Sequence, residues 1–194
     1  MYLSLSKQIG IVILLLAVAS CSMTGGQRSS ENDWSKVPEV YIKALTAAKG
    51  DDKEATIKFL KQTISVAPTF SPAYTNLGLQ ELRAGQLELA TENFKKSIEL
   101  TEHNPVSYHY LGVIARMQGE FEQALGMYRK AIEQEPRYPA VYLNAGILLD
   151  LYMYDLPAAL DYYQRYQDLS RTSDDVVSKW IIDLERRISQ GDVL

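Results

Sequence analysis

An internal repeat of 34 residues is the feature that most constrains how this chain can fold. Residues 71–104 align with residues 105–138 without a gap. The matched pairs are Tyr74 with Tyr108, Leu77 with Leu111, Gly78 with Gly112, Gly85 with Gly119, Leu87 with Phe121, Ala90 with Ala124, Phe94 with Tyr128, and Ser97 with Ala131. Apolar positions on each side of Gly85 and Gly119 recur with the spacing of amphipathic helices. Each block is therefore predicted to be a helix pair joined by a tight turn at its glycine.

The same positions resemble the tetratricopeptide repeat, a helix–turn–helix unit of about 34 residues. The resemblance implies an all-α fold, an α-solenoid in which stacked helix pairs form a curved slab. It extends to a third full repeat at residues 139–172, whose first helix keeps the small and apolar positions. The second helix of this repeat comes one residue late, so we expect an altered connection from Tyr152 to Pro157.

Two further units close the ends of the predicted solenoid. Residues 37–70 keep the pattern in a degenerate form and are interpreted as an N-terminal repeat. Residues 173–189 are interpreted as a C-terminal capping helix, with Thr172 or Ser173 as its N-cap. Its predicted apolar face holds Val177, Trp180, Ile181, Leu184 and Ile188, and its predicted solvated face holds Lys179, Glu185, Arg186 and Arg187. The repeat domain would then cover residues 37–190.

Residues 1–20 have the pattern of an export signal. Lys7 precedes a run of 11 almost wholly apolar residues, from Ile9 to Ala19. A membrane-spanning helix needs about 20 apolar residues, whereas a secretory signal core needs about 7–15. The run ends at Val18-Ala19-Ser20-Cys21, which resembles a bacterial lipobox, and Cys21 is the sole cysteine of the chain. The resemblance implies cleavage before Cys21 and attachment of lipid to its thiol.

A lipid on Cys21 would attach the protein to a membrane, and no other cofactor is predicted. The sequence leaves open an ordinary secretory signal that is cut after Ala19 or Ser20. By analogy with lipoproteins, Ser22 after the cysteine indicates sorting to the outer membrane, with the protein facing the periplasm. Residues 21–36 are rich in Ser, Gly and charge and lack periodicity. They are interpreted as a flexible tether that reaches at most about 50 Å.

The composition excludes several classes of function. The formal net charge of −4 argues against a nucleic-acid partner, because phosphate contacts need clustered Lys and Arg. A single cysteine excludes an internal disulfide framework and a multi-thiolate metal site. His103 and His109 do not share a helical face with a carboxylate, so no metal site is predicted. With no nucleophile elbow and no phosphate-binding loop, the chain is predicted not to be an enzyme.

The resemblance implies a binding groove, because the first helix of each unit lines the concave face in this family. The residues carried over to that face as a partner-binding groove are Asn76, Leu79, Arg83, His109, Tyr110, Val113, Arg116, Met117, Asn144, Ile147 and Leu151. The amides of Asn76 and Asn144 would bind the backbone of an extended peptide. The apolar members would accept a partner helix or strand. The alternative is that these residues simply pack against the adjoining helices.

These features together predict a membrane-anchored, non-catalytic adaptor that binds a peptide or helix of another cell-envelope protein. The resemblance implies relatives such as type IV pilus pilotins and envelope-assembly lipoproteins, which would place the partner in an outer-membrane, pilus or secretion complex. One alternative is a glycan-binding, peptidoglycan-binding or enzyme-associated module, which requires exposed rings at Tyr152, Tyr154 and Tyr162. The adaptor hypothesis instead expects most of the 13 tyrosines to be buried. A second alternative is a homo-oligomer formed through the concave face or the terminal helix.

Overall fold

The computed structural model describes residues 37–172 and 174–191, and within them all regular structure is helical. The helices are α1 (Glu39–Lys49), α2 (Lys53–Val66), α3 (Ser71–Arg83), α4 (Leu87–Leu100), α5 (Pro105–Met117), α6 (Phe121–Gln134), α7 (Pro139–Leu148), α8 (Leu156–Leu169) and α9 (Asp175–Ser189). The all-α prediction is confirmed. The predicted signal segment, Cys21 and the tether lie outside the described residues, and so does Ser173.

The helices pair as α1 with α2, α3 with α4, α5 with α6, and α7 with α8. Gly85 and Gly119 have φ angles of 74° and 81° and close two of the turns, because glycine adopts this left-handed region without steric strain. Within a pair, the missing side chain of a glycine makes room for an aromatic ring. A Cβ atom at Gly112 would lie 2.5 Å from Cε1 of Tyr128, and one at Gly78 would lie 3.0 Å from Cε1 of Phe94. These contacts set how closely the paired helices approach.

Consecutive pairs stack because each second helix also packs against the first helix of the next pair. The largest core cluster runs from α5 to α9 and includes the fully buried rings of Tyr128 and Tyr163. A smaller cluster joins α1, α2 and α3 around Leu60, and another joins α4 to α5 around Phe94. Among the described residues, none of the helices has both the length and the apolarity needed to cross a membrane.

The C-terminal helix α9 covers the last pair, with Val177 and Leu184 buried against α8. The predicted N-cap at Thr172 or Ser173 is wrong, because the carboxylate of Asp174 accepts hydrogen bonds from the N–H groups of Val176 and Val177. The bond from Val177 is the main reason that the pKa of Asp174 lies below its usual value. The capping position is one residue later than predicted because a carboxylate caps a helix N-terminus as well as a hydroxyl does.

A π-helical turn, Leu149–Met153, continues α7 and changes the third full repeat. A π-turn holds one residue more than an α-turn, which accounts for the late second helix in the sequence alignment. The following residue, Tyr154, has a φ angle of 56° and takes the left-handed conformation that Gly85 and Gly119 take in the other repeats. The altered connection is therefore an inserted residue that the helix itself absorbs.

Candidate functional site

The first helices of successive pairs lie side by side and make one face of the repeat domain. A side-chain hydrogen bond connects each neighbouring pair of elements along this face. Asn76 Nδ2 of α3 contacts Tyr41 Oη of α1 at 2.5 Å, and Thr75 Oγ1 of α3 contacts Ser107 Oγ of α5 at 3.1 Å. Asn144 Nδ2 of α7 contacts His109 Nε2 of α5 at 3.0 Å, and Arg187 Nη1 of α9 contacts Asp150 Oδ1 of the π-turn at 2.9 Å. Among the described helices, α3 approaches α5 and α5 approaches α7 more closely than any second helix approaches the second helix of the next pair. The first-helix face, formed by α1, α3, α5, α7 and α9, is therefore the concave side of the stack.

The two asparagines predicted to hold a peptide backbone also hold neighbouring helices together. Asn144 donates both to Nε2 of His109 and to the carbonyl of Ala140, at 3.0 and 2.9 Å, which uses its two N–H groups. The predicted role of Asn144 as a donor to a peptide is corrected for this reason. Asn76 donates to Tyr41 and also lines a cavity, so part of its amide remains available on the concave face.

His109 is 3% exposed and lies beneath the groove surface, so its predicted contact with a partner is corrected. Its Nε2 accepts from Asn144, which places the proton on Nδ1, and Nδ1 donates to the hydroxyl of Tyr138 at 3.0 Å. Burial lowers the pKa of His109 from 6.5 to about 4, and burial raises the pKa of Tyr138 to about 12. The neutral imidazole therefore joins α5 to α7 and supports the groove from below.

A first cavity of about 440 Å³ opens at the N-terminal end of the concave face. Its walls come from α1, α3 and the start of α5, and its apolar lining includes Leu79, Pro72 and Val106. The structure thus brings together two of the predicted groove residues, Asn76 and Leu79. Arg83, one helical turn beyond Leu79, is exposed and does not line this cavity.

The middle of the face is formed by α5. The ring of Tyr110 stacks on Phe94 with 5.7 Å between ring centroids, and Val113 packs half-buried against the large core cluster. Met117 is exposed. The guanidinium of Arg116 lies 5.9 Å from the ring centroid of Tyr152. Of the predicted residues on α5, Met117 is thus the one placed to touch another molecule most directly, whereas Tyr110, Val113 and Arg116 are half-buried.

A second cavity of about 350 Å³ lies between α7 and α9. It brings together the predicted residues Ile147 and Leu151 with residues that the sequence assigned elsewhere, namely Trp180, Asp183 and Arg187. Trp180 was expected in the core and Arg187 in solvent. Trp180 instead forms part of the cavity wall, and Arg187 turns inward to the buried Asp150. Seven residues separate Trp180 from Arg187, about two helical turns, and this spacing is the sequence signal for a shared face on α9.

A larger space of about 980 Å³ lies at the N-terminal ends of α7 and α9, where Leu143, Tyr166 and Val176 provide apolar walls. The groove between α7 and α9 is therefore open at both ends of these helices. Among residues 37–172 and 174–191, no group of three His, Cys, Asp or Glu side chains is arranged to hold a metal ion.

The tyrosines fall into two groups. Of those in the described ranges, Tyr152 is 41% exposed and Tyr154 is 57% exposed, whereas the others are buried or half-buried. Tyr162 is half-buried, and its ring centroid lies 6.0 Å from that of Tyr142. The expectation that most tyrosines belong to the packing holds for the described residues, with an exposed pair at the altered third repeat.

Comparison with known proteins agrees with this architecture. The tetratricopeptide repeat family matches residues 69–134. Among solved structures, PilF of Pseudomonas aeruginosa is 20% identical and aligns over 78% of this chain and 68% of its own, with a TM-score of 0.67. A MamA structure is 18% identical and aligns over 77% of this chain and 96% of its own, with a TM-score of 0.59.

An O-GlcNAc transferase of Thermobaculum terrenum is 23% identical and aligns over 72% of this chain but only 28% of its own, with a TM-score of 0.62. Identities this low show a shared fold. A search of curated proteins gave no significant match.

Proposed function

Because this chain is built from tetratricopeptide repeats, we propose that it is a non-catalytic adaptor that is anchored to the membrane through Cys21 and binds a segment of another cell-envelope protein. The observation that carries the proposal is the concave first-helix face, which has open cavities beside exposed apolar side chains. Met117 and Leu151 are 56% and 57% exposed on this face. Exposed apolar surface of this kind is typical of sites that another protein covers.

The physical advantage of this arrangement is a preformed surface. The side-chain contacts along α1, α3, α5, α7 and α9 fix the first helices before a partner arrives. Binding to a fixed surface orders fewer groups, so less of the interaction energy is lost as conformational entropy. A lipid anchor would add to this by confining the protein near its partner and raising the effective concentration.

The proposed location is the periplasmic side of the outer membrane. Support comes from the lipobox-like residues that end at Cys21 and from Ser22, which follows it. Two or three acyl chains hold a protein stably, whereas a single chain binds a membrane only marginally. The tether of residues 21–36 would keep the repeat domain within about 50 Å of the lipid.

The anchor is tested with Cys21→Ser in cells, followed by separation of inner membrane, outer membrane and soluble fractions. The wild-type chain is expected in the outer-membrane fraction, and the variant is expected to leave it. Outer-membrane recovery of the variant equal to that of the wild type would contradict the lipid proposal.

The adaptor role is tested by cross-linking in intact envelopes and identifying the partner by mass spectrometry. Leu79→Asp with Val106→Asp places charge in the first cavity, and Trp180→Asp places charge in the second. At least one of these changes is expected to reduce capture of the wild-type partner by roughly tenfold or more.

The matched control is Val66→Asp with Leu89→Asp, since these exposed side chains belong to the second helices α2 and α4. The control is expected to capture the partner like the wild type, and circular dichroism checks that all variants keep their helix content. Full capture by both cavity variants would exclude the concave face as the binding surface.

The exposed pair Tyr152 and Tyr154 favours a second candidate, a module that binds glycan strands. Sugar rings stack on open aromatic faces, but the Tyr152 ring already contacts Arg116 and Phe121, the latter with 5.0 Å between centroids. This candidate predicts co-sedimentation of the purified chain with peptidoglycan sacculi and its loss in Tyr152→Ser with Tyr154→Ser. Absence of co-sedimentation would exclude it.

A further inference from the structure

A groove on the second-helix side of the stack lies between α4 and α6. It encloses about 490 Å³ and is lined by residues of α4, α5 and α6. Its floor is apolar, with the buried Leu111 and Ile114 of α5 beside the half-buried Met127 of α6. We call this cavity the α4–α6 groove. Its lining residues form one continuous surface and are not shared with the two concave-face cavities.

Carboxylates dominate the charged lining of the α4–α6 groove. Glu88 and Glu92 line it from α4, Glu120 lines it from the start of α6, and all three are exposed. Lys95 is the one basic side chain in the lining that the structure describes, and it follows Glu88 by two helical turns, about 10 Å along α4. Within residues 37–172 and 174–191, none of these four side chains takes part in an ion pair. The groove therefore has an acidic end that Lys95 does not neutralise.

Helix stability does not account for the position of Glu92. Glu88, in the first turn of α4, and Glu120, at the N-cap of α6, have a favourable interaction with the N-terminal ends of their helices. Glu92 lies beyond the first turn and is four residues from Glu88, a spacing at which like charges repel each other. Burial raises the pKa of the nearby Glu81 carboxyl, and Glu92 raises it further. A cation bound from outside would relieve this repulsion.

The spread of the carboxylates and the apolar floor decide which kind of cation fits. In the part of the chain that the structure describes, no three acidic side chains are arranged to hold a metal ion, so a single ion is not the expected occupant. Glu88 and Glu92 are about 6 Å apart along α4, close to the roughly 6.7 Å between side chains on one face of an extended chain. Lys and Arg side chains place their methylene stems on apolar surface while the charged end stays in a polar environment. An anionic bilayer would be repelled.

We infer that the α4–α6 groove binds a basic segment of another protein, one in which two Lys or Arg residues lie next to an apolar residue. The three carboxylates of the groove hold the basic side chains, and Leu111 and Met127 contact the apolar one. Charge complementarity of this kind selects the partner and speeds its association. The inference does not depend on the proposed role of the concave face, because the two surfaces share no residue.

The probe is a library of random peptides displayed on phage and selected on the purified full chain in detergent. The selected peptides are expected to include a group with at least two Lys or Arg close together and an apolar residue beside them. Synthetic copies of this group, with acetylated and amidated ends, are then titrated against the wild type and the variants. Raising the salt from about 50 mM to about 500 mM should weaken their binding to the wild type, because exposed charges are screened.

Two triple variants that remove the same charge separate the groove from the rest of the surface. The groove variant is Glu88→Gln with Glu92→Gln and Glu120→Gln, and it is expected to bind the peptides roughly tenfold more weakly, since three exposed ion pairs are lost. The matched control is Glu54→Gln with Glu122→Gln and Glu133→Gln, exposed carboxylates of α2 and α6 that do not line the groove. The control is expected to bind within about twofold of the wild type, because distant surface charges are screened.

The apolar floor and the peptide are tested in the same titrations. Met127→Gln is expected to weaken binding severalfold, because an apolar contact is lost at a similar side-chain size. Replacing the peptides' Lys and Arg by Gln should cost at least as much as the groove variant does. The groove variant should then lose nothing further, because the two changes remove the same ion pairs.

Several outcomes would overturn the inference: no selected peptide of the basic kind, equal binding by the groove variant and the wild type, or an equal loss in the control. A loss of these peptides in Leu79→Asp with Val106→Asp would place them on the concave face, which removes this site and leaves the adaptor function standing. Urea unfolding checks that each variant is folded. Glu92→Gln alone lies outside the first turn of α4 and should still weaken binding about twofold to threefold.

Discussion

Single residues decide how closely the helices of a pair approach. Tyr128 and Tyr163 are the largest fully buried side chains, and each lies over a glycine of the paired helix, Gly112 and Gly146. A tightly packed interior does not yield space for a methyl group without moving the ring or the backbone. Glycine is therefore required at positions 112 and 146 because an aromatic ring of the paired helix lies where a Cβ atom would be. Gly126 is not required in this way, because no atom lies within 4 Å of where its Cβ would be.

Gly112→Ala is expected to lower the free energy of unfolding by about 1–3 kcal/mol, because the added methyl would overlap the Tyr128 ring. Gly126→Ala, the matched control inside α6, is expected to raise it by about 0.5–1 kcal/mol, because alanine favours the helix. Urea unfolding followed by circular dichroism measures both. Equal effects of the two substitutions would contradict this account of the packing.

The stability of the folded chain depends on pH through His109. Burial lowers its pKa from 6.5 to about 4, so between these values the unfolded chain binds a proton that the folded chain does not. The contribution of neutral His109 to stability is thus complete above pH 6.5 and is lost as the pH falls toward 4, by up to about 3 kcal/mol.

Stability should therefore fall more steeply between pH 6.5 and 4 in the wild type than in His109→Gln, which lacks the titrating ring. Urea unfolding at several pH values gives the two profiles, and carboxylates elsewhere contribute equally to both. Parallel profiles would show that His109 titrates normally in the folded chain.

At the scale of elements, a one-residue insertion changes the third full repeat without breaking it. The π-turn, Leu149–Met153, absorbs the extra residue, and Asp150 inside it pairs with Arg187. The connection then reverses direction at Tyr154 rather than at a glycine. Tyr154 thus has a bulky, exposed ring at a position where the left-handed conformation costs an L-residue about 1–2 kcal/mol.

Tyr154→Gly is expected to leave stability unchanged or to raise it by up to about 1 kcal/mol, since the strain is relieved while the unfolded chain gains freedom. Gly119→Ala, at the corresponding turn with a φ angle of 81°, is expected to lower stability by about 1–2 kcal/mol although nothing lies within 4 Å of the new methyl. Urea unfolding measures both variants. A large loss of stability in Tyr154→Gly would show that the ring is needed for folding rather than for contact with another molecule.

The helical pattern was predictable from the sequence, whereas the orientation of several side chains was not. Repeated glycines and aromatics, such as Gly112 with Tyr128, define helix pairs because packing demands them at a fixed period. Long side chains are different, since neighbouring helices decide where they point. The helical pattern of α9 predicts that Arg187 faces solvent. Its side chain instead points inward, because it pairs with the buried Asp150 of the third full repeat. His109 was placed in the groove by register, but Tyr138 and Asn144 hold it below the surface.

At the scale of the whole repeat domain, the buried apolar side chains are unevenly distributed. The largest core cluster joins α5 to α9, whereas α1 and α2 share a small cluster around Leu60. Between these parts, the cluster around Phe94 joins α4 to α5, and a polar group lies at the N-terminal ends of α3 and α5: Asn104 Nδ2 donates to Ser97 Oγ at 2.7 Å, and Ser71 bonds to Ser97. In repeat proteins each unit is stabilised by its own core and by its neighbours.

The first pair should therefore open more readily than the last. Backbone amides of α1 and α2 are expected to exchange with deuterium faster than those of α7 and α8, because local opening exposes less apolar surface there. Leu60→Ala removes a fully buried side chain of the small cluster and should accelerate exchange in α1 and α2 but not in α7 to α9. Leu184→Ala, matched in size and burial, should act in α8 and α9. Hydrogen exchange with mass spectrometry resolves these segments, and uniform acceleration across all helices in either variant would mean that the units open together as one cooperative structure.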